Sequence, residues 1–61
     1  MKISQIKWID GDKYKDPYGK IWEIRQKEMK YQKEDKTWEY ITDGRYALGL
    51  ILNMDFEKCN K

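Results

Sequence analysis

Sixty-one residues carrying 13 basic and 11 acidic side chains make one small domain of net charge +2, too little excess to imply nucleic acid as the partner. Histidine is absent, which removes the usual general base, the usual metal ligand and any Ser-His or Cys-His nucleophile pair. One cysteine, Cys59, excludes an internal disulfide and fits a reducing cytosol, and neither a signal-peptide core nor a run of membrane-spanning length is present.

Ser4 is placed to cap a short helix over Gln5–Ile9, with Ile3 and Trp8 at the two positions of a hydrophobic staple. Asp10-Gly11 ends that helix with a residue suited to the left-handed conformation. Asp12–Lys15 reads as a first strand. Asp16-Pro17-Tyr18-Gly19 then has Asp, Pro and Gly at the places a type I turn favours.

Lys20–Arg25, Glu28–Lys33 and Thr37–Ile41 each alternate a large apolar residue with a polar one. Period two predicts a three-stranded antiparallel meander with tight links at Gln26-Lys27 and across Lys33–Lys36. Counting outward and inward positions puts Trp22, Ile24, Met29, Tyr31, Trp38 and Tyr40 on a buried face. Glu23, Arg25, Glu28, Lys30, Gln32, Thr37 and Glu39 fall on the wet face.

Thr42 or Asp43 can cap a second helix over about Arg45–Leu52, where Leu48, Ile51 and Leu52 share a face; a strand through Ala47–Leu52 is the competing reading. Met54–Cys59 alternates as a final strand, with Met54, Phe56 and Lys58 on one side. The predicted class is α+β, a small antiparallel meander of three to five strands with one or two short helices covering the aromatic face. An SH3-like small barrel is the alternative. Residues 1–59 form the domain and residues 60–61 a free tail.

A chain of this length buries only about 60% of its unfolded surface, so the aromatic residues are needed for the core, and a homodimer or a docked partner is expected. Trp22, Tyr31, Trp38 and Tyr40 could stack on bases, but the core reading takes precedence at this size. Tyr14, Tyr18 and Tyr46 lie near turns and are better placed for exposed contacts. Asp10, Asp12 and Asp16 lack the spacing of a calcium loop and alternate with Lys13 and Lys15, so no metal site is expected. Arg45 follows Thr42-Asp43-Gly44 at the expected helix start, where it could hold a small anion. Arg25, Lys27, Lys30, Lys33 and Lys36 give the meander a basic face, interleaved with Glu23, Glu28, Glu34 and Glu39.

Asp10-Gly11-Asp12-Lys13, Gly19-Lys20-Ile21-Trp22 and the closing Leu52-Asn53-Met54-Asp55-Phe56-Glu57 resemble, in order and spacing, small phage and prophage proteins of Gram-positive bacteria. The layout is distantly similar to the Thoeris anti-defense 2-like family, whose members can sequester a cyclic nucleotide immune signal. Asp12 interrupts the Gly-Lys step, the Arg expected before the tryptophan is missing, and Phe56 stands where the family has Trp, so no ligand residue carries over. The resemblance implies a non-enzymatic accessory protein of the host cytoplasm that binds and inhibits a host protein. A sponge for a small nucleotide and a small nucleic-acid binder are the alternatives. Partner contacts are expected at Tyr18, Arg25, Arg45 and Tyr46, with no catalytic residue, cofactor or membrane.

Overall fold

Four strands follow one another as a meander, and a fifth returns to the far edge. The computed structural model describes residues 1–43 and 47–59. The strands are β1 (Lys13–Lys15), β2 (Ile21–Arg25), β3 (Glu28–Gln32), β4 (Trp38–Tyr40) and β5 (Glu57–Lys58). They form one antiparallel sheet in the order β4-β3-β2-β1-β5. The sheet is open, so the class is a small α+β fold and the barrel alternative falls. Among the described residues no helix is long and apolar enough to cross a membrane.

Three turns set the register. In the first hairpin, Gly19 N–H donates to Asp16 O at 3.0 Å, and Gly19 has φ +90°. The Asp16 carboxylate accepts from the Tyr18 and Lys20 N–H groups, each at 2.9 Å, and fixes the turn the sequence predicts. Gln26 and Lys27 both have positive φ (53° and 63°) between paired Arg25 and Glu28, the geometry of a two-residue type I′ turn. Lys27 is held there by its N–H on Asp10 Oδ1 and its Nζ on Trp8 O, both 3.1 Å.

The third turn overturns a third of the predicted face. Lys33 N–H donates to Thr37 O and Lys36 N–H to Lys33 O, leaving a three-residue loop with Lys36 left-handed at φ 71°. An odd loop pairs Tyr31 with Glu39, and Trp38 with Gln32. Trp22 and Trp38 therefore lie on opposite faces, since a one-residue change of register reverses every side chain. Glu39 turns inward, half-buried, with its carboxylate 3.4 Å from Lys20 Nζ. Lys30, expected in water, is buried on the outer face beneath Tyr40.

The core lies between the inner face and the segments that cross it. Tyr14, Trp22, Ile24 and Met29 come from the sheet; Ile6, Ile41, Ile51, Met54 and Phe56 come from the covering chain. Tyr14, expected near a turn and exposed, is 1% exposed because its partner across β1–β2 is Trp22. Tyr31 packs edge-on to Trp22, with ring centroids 6.2 Å apart.

The opening helix is shorter and earlier than expected. A 3-10 turn spans Ile3–Gln5 behind Lys2, so Ser4 is not its cap, and Ile6 is already extended. A five-residue helix gains too few bonds to offset nucleation, whereas the segment as built delivers Ile6 to the core. Ile3 and Trp8 still pack against that core. After β4 the chain makes a second 3-10 turn over Ile41–Asp43, which uses Thr42 and Asp43 before any helix begins. The helix, α1, runs Leu48–Asn53 from an Ala47 cap position that offers no side-chain acceptor, and its one buried residue is Ile51. The final strand is shorter than predicted. Met54 and Phe56, expected on one side with Lys58, are buried while Lys58 is exposed, and only Glu57–Lys58 pair, with β1.

Candidate functional site

The inner face is consumed by the core, so the outer face of the sheet is where side chains converge without a packing duty. Beside the β2–β3 hairpin lies a cavity of about 520 Å³, walled by Glu23, Arg25, Gln26, Lys30, Trp38 and the Asp10-Gly11 turn. Arg25 ends β2 and lays its guanidinium over the Trp38 ring, 4.8 Å from the centroid. Its Nη1 donates to Glu23 Oε2 at 3.1 Å. Lys30 Nζ donates to Gln26 Oε1 at 2.7 Å and sits 4.8 Å from the Tyr40 ring centre and 3.8 Å from Glu28. Arg25 and Lys30 balance Asp10 and Glu23, so the walls sum to no charge.

This arrangement can bind. A guanidinium held flat on an indole presents its remaining donors to an incoming acceptor at little entropic cost, and the exposed ring edges offer apolar contact. No nucleophile–base pair stands in the walls. The acids discussed as a metal cluster go separate ways: Asp10 accepts from Lys27 N–H, Asp12 pairs with Lys58 at 3.4 Å, and Asp16 holds Trp22. Among the described residues no group of three or more His, Cys, Asp or Glu is placed to hold a metal.

Of the residues expected to contact a partner, Arg25 lies in this cavity. Tyr18 is 61% exposed at the tip of the β1–β2 turn, at the opposite end of β2, so the fold does not bring the two together. Arg45 and Tyr46 lie outside the described residues, and with them the expected anion site. Trp38 and Tyr40 are the members whose face sequence reasoning misassigned; Lys30 is on the expected face but buried there. The available signal was the Asp35-Lys36-Thr37 step, where the aspartate side chain can close a loop one residue shorter than the spacing suggests. Comparison with protein-family models, curated proteins and solved structures found no match for this chain.

Proposed function

We propose that this chain is a non-enzymatic binding protein, a phage or prophage accessory factor that inhibits a host protein by covering part of its surface. One observation carries the reading: Arg25 stacked on half-buried Trp38 beside Tyr40 and Lys30, on a face where a meander of this kind needs only polar residues. Arginine, tryptophan and tyrosine supply most of the energy of protein interfaces, and here all three stand together outside the core. The resemblance to small phage proteins supplies the host context.

The test is capture from host lysate on immobilised protein. One protein retained in stoichiometric amount by wild type and by a Lys33→Ala control, and lost with Arg25→Ala and Trp38→Ala, supports the reading. Equal retention by all variants overturns it.

The cavity volume favours a second reading, since about 520 Å³ falls within the range of small-molecule sites. A small nucleotide would find Trp38 to stack on and Lys30 and Arg25 for its phosphates, against Asp10 and Glu23 in the same walls. Calorimetric titration with cyclic nucleotides decides it: saturable binding lost in Lys30→Ala would replace the protein partner with a nucleotide.

A further inference from the structure

The two edges of the sheet are unlike. At the β5 edge the chain closes on itself, because Met1 and Phe56 bond through their backbones: Phe56 N–H donates to Met1 O at 2.7 Å and the Met1 amine to Phe56 O at 2.8 Å. The β4 edge has no such cover among the described residues. Of the usual guards of an edge strand it has two, a length of three residues and the inward-pointing charge of Glu39, but Trp38-Glu39-Tyr40 contains no lysine, proline or bulge.

The phase of the hydrogen bonds tells which groups face outward. Lys33 bonds Thr37 across the third hairpin, so the next bonded pair is Tyr31 with Glu39, and Trp38 and Tyr40 stand at non-bonded positions. The N–H and C=O of Trp38 and of Tyr40 therefore point away from β3. The strand is also symmetric in character, aromatic–acid–aromatic. Laid antiparallel to itself about Glu39, it sets each Trp38 against the other copy's Tyr40, and all four outward groups on each strand are bonded. Registers centred on Trp38 or Tyr40 bond fewer of them.

The ground beside this edge is apolar. Tyr40 and Ile41 wall a groove of about 190 Å³ together with Leu48 and Leu52 of α1, and these leucines are 64% and 55% exposed. A helix with one buried residue and leucines in water is poorly covered for a chain with 39% charged side chains.

We infer that β4 pairs with β4 of a second copy of this chain, joining two five-stranded sheets into one of ten across a twofold axis at Glu39. The occupant is a second copy because the strand's side-chain order and its outward backbone groups complement themselves, which an isologous interface requires. The Leu48–Leu52 side of α1 is covered at the same seam. The cost lies at the axis, where two Glu39 carboxylates approach at a non-bonded position, each tied to its own Lys20.

Sedimentation and light scattering on the full chain test this. The mass should rise from 7.5 kDa toward twice that value over a range of about 10 μM to 1 mM, as expected of a small interface. Glu39→Gln should tighten the dimer about three- to five-fold by removing the like-charge pair. Chemical synthesis with an N-methyl group on Tyr40 removes an outward donor without touching the β3 pairing, and should weaken association by at least about ten-fold. Leu48→Lys should weaken it as well. A chain that stays at 7.5 kDa up to about 1 mM overturns the inference. So does a dimer indifferent to N-methylation at Tyr40, since its interface would lie elsewhere.

Discussion

The Trp22 indole donates to Asp16 Oδ2 at 3.0 Å, and both residues are buried. The same carboxylate accepts the Tyr18 and Lys20 N–H groups on its other oxygen, so one side chain ties the first turn to the centre of the core.

Asp16→Asn presents one acceptor oxygen where two are used. Either the indole or the turn N–H groups lose their partner, and stability should fall by about 2–3 kcal/mol, the scale of a broken hydrogen bond to a charged group. Urea unfolding measures this, and a double-mutant cycle with Trp22→Phe should show the two losses coupled. Additive losses would mean that the bond contributes nothing in solution.

The two sheet tryptophans should separate sharply on replacement. Trp22→Ala empties the core and should cost about 3–5 kcal/mol, nearly the whole stability of so small a domain. Trp38→Ala, on the outer face, should cost about 1 kcal/mol and leave the fold intact. Similar losses at the two sites would place Trp38 back in the core.

Which tryptophan is inside was the part of the fold the chain did not announce. The alternation along β2 and β3, the Asp16–Gly19 turn and the shared side of Met54 and Phe56 were all legible, because period and turn chemistry are local. The parity of the β3–β4 loop was not. Gly19 declares a left-handed position, whereas Lys36 occupies the same conformation without the residue type that would reveal it. That single residue reverses Trp38, Glu39 and Tyr40, and so hid the candidate site. The outer-face position of Arg25 was legible because it sits on β2, ahead of the ambiguous loop.

Lys36→Gly should stabilise the protein by about 0.5–1 kcal/mol, relieving a side chain held at φ 71°. Gly19→Ala should do the reverse by about 1–2 kcal/mol. Open space surrounds the position a Cβ would take there, so the loss isolates the backbone term. Thermal melts of both variants check the pair.

Asp35 accepts the Thr37 hydroxyl at 2.6 Å and its N–H at 3.0 Å, and these bonds, the hydroxyl first, hold its carboxyl below the ordinary value of 3.8. A folded value below the unfolded one gives stability that is present above pH 3.8 and lost as pH falls through the folded value. Thr37→Val removes the hydroxyl and should raise the Asp35 carboxyl part of the way back in an NMR titration. An unchanged titration would show that the backbone bond alone sets it.

The strand order also dictates a sequence of events in time. β1 to β4 are joined by tight turns and can zip up as neighbours, each pairing closing a short loop. β5 finds β1 only after Ile41–Asp43 and Leu48–Asn53 are in place, so its closure bears the largest loop entropy among the strand pairings. Opening should run in reverse. Backbone amides bonded between β2 and β3 should exchange with solvent most slowly, and the Cys59 N–H that bonds Lys13 should be among the first to go. In that opened state the β1 edge is bare on one side while β4, among the described residues, is bare on the other, a transient species able to grow a sheet from both ends.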